Sequence, residues 1–212
     1  MLPTLIPSYD ENVQRIADIA KSGWTFAHRY NWSGPMHFES RYPQAWINKY
    51  QSNLYQVCDP VVFWICKPHM REFRSTRWSE MSQIIDVRGV MEGASRFGLK
   101  YGAAFTRRVD KLTVSFMTVA RSDRELTDGE MDVLGATFHF WVDTLEQSRP
   151  ILSEAEIEAI RYLRDGLAQG DIAASLEISE SAVKKRITGA MNKLHAQTRP
   201  QAVALSIAHR LI

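Results

Sequence analysis

The sequence predicts an α+β chain in two parts: an N-terminal α/β/α sandwich built on an antiparallel sheet, then a unit of four short helices. Three observations carry that expectation. Before residue 147, apolar residues recur at helical spacing in some stretches and at strand spacing in others. A short polar connection at Val109-Asp110-Lys111 joins two strand-like runs, as in a hairpin. From Leu152 onward only helix signals remain. The composition, 212 residues of which 45% are apolar and 24% charged, is that of a folded chain with a core.

Ser8-Tyr9-Asp10-Glu11 has the spacing of a capping box and opens a helix reaching about Lys21. Gly23 to Tyr30, rich in aromatics, reads as a strand. Pro43 suits the first turn of a helix in which Trp46 and Tyr50, at i and i+4, share one face. Ile84, Val87, Met91, Ala94 and Phe97 predict a long helix from about Ser79, capped by Gly98. Ala103 to Arg107 and Leu112 to Ala120 form the hairpin. In its second strand Leu112, Val114, Phe116, Thr118 and Ala120 point one way, and Thr118 is the only hydroxyl among them. Thr127-Asp128-Gly129-Glu130 is a second capping box, opening a helix with the stripe Met131, Leu134, Phe138, Trp141 and Leu145.

The domains are predicted as 1–147 and 152–212, with 148–151 as linker. In the second, the capping box Ser153-Glu154-Ala155-Glu156 opens a helix ending at Gly166. A short helix from Ala168 to Leu176 follows. A tight Glu177-Ile178 turn leads to Ser179, the N-cap of a helix reaching about Leu194, and a last helix spans about Pro200 to Arg210.

Several function classes are set aside. No Gly-rich phosphate loop, GxSxG or HExxH motif occurs, so the chain reads as no enzyme. Cys58 and Cys66, eight apart and without clustered histidines, read as structural thiols, so no metal or cofactor is expected. With no apolar run of spanning length and no secretory signal, the expected location is the cytoplasm, away from membranes.

The net charge of +2 conceals a segregation. Residues 151–180 hold seven acids and two bases, net −5, while residues 181–212 hold six bases and no acid, net +6. On the helix after Ser179, the stripe Val183, Ile187, Ala190, Met191 and Leu194 faces inward. Ser181, Lys184, Lys185, Thr188 and Asn192 then face outward, flanked by Arg186 and Lys193. A basic exposed helix behind a tight turn is what a helix-turn-helix domain presents to the major groove, where lysine donates to guanine edges or phosphates and threonine meets thymine methyls. The four-helix unit is therefore read as a DNA-binding helix-turn-helix domain, with Ser181, Lys184, Lys185, Arg186, Thr188 and Asn192 as its DNA contacts.

Leu152-Ser153-x-x-Glu156, Gly166, Asp171-Ile172-Ala173, Ile178-Ser179, Val183-Lys184, Lys193-Leu194 and Arg199-x-Gln201-Ala202-Val203 together resemble the DNA-binding domain of the LuxR family of transcription regulators. The chain departs from that pattern at Ile160, where leucine is usual, and at Glu177 and His195, where glycine is usual. In the front domain, Tyr42-x3-Trp46-x3-Tyr50-x8-Asp59-Pro60-Val61-Val62, with Gly102 later, resembles the autoinducer-binding domain of quorum-sensing members. The resemblance implies an N-acyl homoserine lactone as ligand. Asp59 would accept from its amide, Trp46 would donate to the lactone carbonyl, and Tyr42 or Tyr50 would donate to the acyl carbonyl; Thr118 is a further candidate. The family's second pocket tryptophan is replaced by Arg74 or Ser75, and Trp78 is its candidate substitute. A homodimer on palindromic promoter DNA is implied, joined through the Thr127 to Leu145 helix and the last helix, with half-sites roughly 34 Å apart. RNA polymerase or a related regulator would be further partners. The competing reading, favoured by Arg74 and the short linker, is a ligand-independent regulator that acts by pairing with a related one.

Overall fold

The computed structural model describes residues 2–31, 33–67, 73–81 and 85–212. The chain divides into two compact units, Met1–Gln147 and Ser148–Ile212. The first runs α1 (Leu2–Leu5), α2 (Tyr9–Ile19), β1 (Gly23–Tyr30), β2 (His37–Ser40), α3 (Gln44–Ser52), α4 (Pro60–Cys66), β3 (Phe73–Arg77), α5 (Val90–Ser95), β4 (Tyr101–Arg108), β5 (Val114–Arg121) and α6 (Asp128–Gln147). Single 3-10 turns lie at Tyr55–Val57 and Trp78–Glu80. The strands form one sheet in the order β2-β1-β5-β4-β3, antiparallel at every pairing. Among the described residues no helix is long and apolar enough to cross a membrane.

The central strands are buried on both faces, which makes the predicted α/β/α sandwich. Trp24 and Phe26 of β1, Phe105 of β4 and Met117 and Val119 of β5 pack against Ile16 of α2 and against Leu134, Phe138, Trp141 and Leu145 of α6. The Trp141 ring stacks on Tyr9 at 5.5 Å and meets Phe26 edge-on at 5.0 Å, an offset geometry that aromatic quadrupoles favour. On the opposite face Ala27, Ala104 and Phe116 pack with Val61 and Ile65 of α4, and Ala120 packs with Trp46 of α3 and Val90 and Ala94 of α5.

Several local expectations are corrected. Ser8 adopts φ 48° and makes no capping hydrogen bond, because a serine cap requires extended backbone to aim its oxygen at the helix amides. The Asn12 side chain instead donates to the Pro7 and Ser8 carbonyls, at 3.2 and 2.9 Å. The long helix from Ser79 is replaced by the Trp78–Glu80 turn and the short α5. The Asp86 carboxylate accepts from the Val90 and Met91 amides, both at 2.8 Å, and so starts a fresh helix there. Val87 is correspondingly exposed, and Ile84 lies outside the described residues. Gly98 does turn the chain, at φ 82°. Leu112 lies outside β5 and is exposed, because Asp110 holds the Leu112 and Thr113 amides in the hairpin turn at 2.8 and 2.9 Å.

One charge cluster around the buried Arg29 and His28 ties the sheet to the end of α6. A bulge in β1 puts Arg29 at φ 51°, where its guanidinium binds Glu146 through Nε and Nη2 at 2.7 and 2.6 Å and Asp110 through Nη1 at 2.5 Å. The fully buried His28 adds a contact to Glu146 at 3.0 Å. Burial alone would push the Glu146 carboxyl up, but the hydrogen bonds from His28 and Arg29 outweigh it and hold the group at about 2.

The second unit contains α7 (Glu154–Arg164), α8 (Gln169–Ser175), α9 (Glu180–Lys193) and α10 (Arg199–Ala208). Ser153 and Glu156 form the reciprocal capping box: the Glu156 amide donates to Ser153 Oγ at 3.3 Å and the Ser153 amide to Glu156 Oε2 at 2.7 Å. The same carboxylate accepts from Lys193 Nζ at 2.8 Å. A β-carbon at Gly189 would lie 2.6 Å from Glu156 Oε1, so glycine there lets α9 approach the cap of α7. Val183, Ile187 and Ala190 of α9 are buried. Glu177 and His195 both sit at φ 54°, in the left-handed region where glycine is the unstrained residue.

Candidate functional site

A cavity of about 230 Å³ lies between the sheet and helices α3, α4 and α5, and all of Tyr42, Trp46, Tyr50, Asp59, Trp78 and Thr118 line it. Their elements explain the convergence. Pro43 starts α3, so Tyr42 precedes its first turn while Trp46 and Tyr50 fall one turn apart on the face turned to the sheet. Asp59 is the N-cap of α4, with Pro60 in the first turn. Its Oδ1 accepts from the Val61 amide at 2.8 Å and its Oδ2 from the Tyr50 hydroxyl at 2.7 Å. The Tyr42 hydroxyl donates to Thr118 Oγ1 at 2.9 Å.

Burial governs the protonation of these groups. Burial pushes the Asp59 carboxyl up, against the Tyr50 hydroxyl and the Val61 and Val62 amides that favour its ionised form. Burial likewise raises Tyr50 and Tyr42 far above the ordinary phenol range, and the neighbouring Asp59 charge adds to it. Both tyrosines therefore act as neutral hydrogen-bond groups. The Trp78 Nε1 proton is buried with no partner among the described residues, an orphaned donor on a ring that lines the cavity. A buried carboxylate acceptor and an unsatisfied indole donor in one largely apolar cavity suit a neutral ligand with an amide and carbonyls.

Arg74 is not among the residues lining the cavity. Its guanidinium lies over the Trp64 ring at 4.3 Å and donates to the Trp64 carbonyl at 2.6 Å. Sequence reading missed other lining residues, including Tyr30, Phe38, Thr25 and Ser40. For Thr25 the signal was present: strand alternation from Trp24 and Phe26, which face α6, turns Thr25 and Ala27 to the cavity side. Ser40 lies on β2, an edge strand with no apolar alternation.

On α9, Ser181, Lys184, Lys185, Thr188 and Asn192 are all exposed, and no ion pair ties either lysine among the described residues. Arg186 is placed differently. It is half-buried and donates to Glu158 of α7 at 3.1 Å, which makes it a brace between the two helices.

A cavity of small-ligand size in one unit and an exposed basic helix behind a tight turn in the other define a ligand-sensing DNA-binding regulator. Residues 26–147 match the autoinducer binding domain, and residues 150–206 match bacterial regulatory proteins of the luxR family. The chain belongs to the luxR family and is a transcription regulator, not an enzyme. It is similar to the quorum-sensing regulator RhlR of Pseudomonas aeruginosa, 28% identical over 81% of this chain and 74% of that one. It is also similar to the transcriptional activator AnoR of Acinetobacter nosocomialis, 24% identical over 79% of this chain and 75% of that one. The crystal structure of Escherichia coli SdiA shares the fold with a TM-score of 0.56 at 20% identity, covering 99% of this chain and 94% of that one.

Proposed function

We propose that the cavity binds an N-acyl homoserine lactone and that the liganded chain, as a homodimer in the cytoplasm, reads palindromic promoter DNA. The observation that carries this reading is the pairing of Asp59 with the orphaned Trp78 donor inside one apolar cavity. Asp59 accepts the ligand amide proton, the Trp46 and Trp78 indoles serve the lactone carbonyl, and the Tyr42–Thr118 pair offers a hydroxyl to the acyl carbonyl. Trp78 takes the part of the family's second tryptophan, so Arg74 does not spoil the lactone end. That weighs against the ligand-independent reading. The relatives named as a quorum-sensing regulator and a transcriptional activator support it further.

In this reading residues 1–147 sense the signal, 148–151 are the linker, and 152–212 bind DNA. Lys184, Lys185, Ser181, Thr188 and Asn192 face the groove, and Arg186 holds α9 against α7. RNA polymerase is the further partner at the promoter. Ligand acts by linkage: at a hundredfold excess over Kd, binding stabilises the folded domain by about 2.7 kcal/mol and enriches competent dimer. The test is mass spectrometry of denatured protein purified from cells that make a range of lactones, paired with melting curves. Recovery of one lactone that also raises Tm is expected; protein that comes out empty and whose Tm and promoter binding ignore every lactone would refute the reading.

A further inference from the structure

The cavity contains a hydroxyl pair that the proposed ligand contacts leave unused. Thr25 and Ser40 both line it, with their side-chain oxygens 2.7 Å apart. They are register partners across β1 and β2, and Thr25 is also the register partner of Thr118 on β5. Three neighbouring strands thus present Ser40, Thr25 and Thr118 as one row of hydroxyls along the cavity floor. Thr118 is engaged by Tyr42. Thr25 and Ser40 make no side-chain hydrogen bond other than to each other among the described residues.

A hydroxyl has one proton to donate and room to accept two. When Thr25 and Ser40 bond to each other, one O–H remains without an acceptor, and the oxygen that donates can still accept. A plain alkyl chain lying across this pair removes water from it and returns nothing. A ligand oxygen at the same place completes it. A keto oxygen accepts the free O–H alone, whereas a ligand hydroxyl accepts from one residue and donates to the other, closing a ring of three.

Resting on the lactone reading, we propose that Thr25 and Ser40 are a specificity subsite for an oxygen on the acyl chain, with a 3-hydroxyl its best match. The position follows from the sheet. Thr25 stands one strand away from Thr118, roughly 4.8 Å, so if Thr118 and Tyr42 hold the acyl carbonyl oxygen, the pair reaches an oxygen on the carbon two further along, because oxygens on alternate carbons that point apart stand about that far from each other.

The test measures binding, by melting shift and reporter dose response, of lactones unsubstituted, 3-oxo or 3-hydroxy at each of several chain lengths. The wild type is expected to prefer 3-hydroxy over unsubstituted by about tenfold, the worth of one hydrogen bond in a dry site, with 3-oxo between. Thr25→Val and Ser40→Ala should erase that ranking while still binding the unsubstituted lactone, which shows that each variant is folded. A wild type that binds the unsubstituted compound as tightly as the others, or a ranking that survives both substitutions, would overturn the subsite alone. If no lactone shifts the wild type at all, the lactone reading falls and the subsite with it.

Discussion

The Trp78 indole rests against Gly102, so closely that a β-carbon on Gly102 would lie 2.6 Å from the ring and 2.4 Å from the Val119 carbonyl oxygen. Gly102→Ala must displace the ring, the strand or both. The expected cost is about 1–3 kcal/mol in thermal denaturation, as for other overpacked sites, together with a more than tenfold loss of ligand response, since the orphaned indole donor moves. An unchanged dose response at a lowered Tm would mean that Trp78 serves only the core.

Asp59 separates ligand response from stability. Asparagine is as good an N-cap as aspartate; with its oxygen kept on the Val61 amide, its Nδ2 takes the place of Oδ2 and donates to the Tyr50 hydroxyl. The buried charge, which folding pushes toward protonation, disappears. Asp59→Asn should therefore leave the unliganded melting temperature equal or higher while weakening lactone response at least tenfold. A lowered melting temperature with a normal response would make Asp59 a turn residue.

Glu146 gives a pH signature. Its carboxyl is depressed from the ordinary 4.5 to about 2 in the folded chain, so its contribution is complete above pH 4.5 and is lost as the pH falls toward 2. Its side chain is 26% exposed, and after discounting for solvent screening Glu146→Gln is expected to lose about 2 kcal/mol at neutral pH. Denaturant midpoints of the two proteins, compared at steps from pH 7 down to pH 3, should draw together below about pH 4.5. A gap of constant size would assign the loss to packing.

On α9 the lysines and the arginine should behave differently. Lys184→Ala and Lys185→Ala are each expected to weaken promoter binding; a phosphate contact lowers the salt slope by about one and affects all sequences alike, while a base contact costs about 1–3 kcal/mol and relaxes sequence preference. Arg186→Ala, which breaks the Glu158 brace, should lower Tm without changing the salt slope. A fall in slope for Arg186→Ala would move it into the DNA contact set.

Glu177 and His195 sit in left-handed backbone without the glycine that suits it. Glu177→Gly and His195→Gly relieve the β-carbon clash but loosen the unfolded chain, so each should raise stability by about 0.5–1 kcal/mol. Melting of the variants measures this directly, and destabilisation would show that the side chains contribute contacts worth more than the strain.

Much of this architecture is legible in local chemistry. The Thr127–Glu130 and Ser153–Glu156 boxes form as their spacing predicts, and the stripes of α6 and α9 point inward. The edge strands are not legible: His37-Phe38-Glu39-Ser40 and Phe73-Arg74-Ser75-Thr76-Arg77 owe their state to pairing with β1 and β4 rather than to any apolar alternation. Helical spacing from Ile84 to Phe97 misleads because Asp86 interrupts it with side-chain bonds to the backbone. At the cavity, Trp46 and Tyr50 were readable from i, i+4 spacing, whereas the Thr25–Ser40 pair depends on the unread strand β2.

The Arg29–Glu146 bond spans 117 residues, and gaps of 112 to 117 residues separate Trp24 and Phe26 from their α6 partners Phe138 and Trp141. Read in the order of synthesis, every strand of the sheet and every helix of the cavity layer has been made by Arg121, before α6 begins at Asp128. The ligand side of the newborn domain is thus complete while its other side is covered only by α1 and α2. α6 closes it along its length from Leu134 to Leu145, and it is the last element made before the DNA-reading unit.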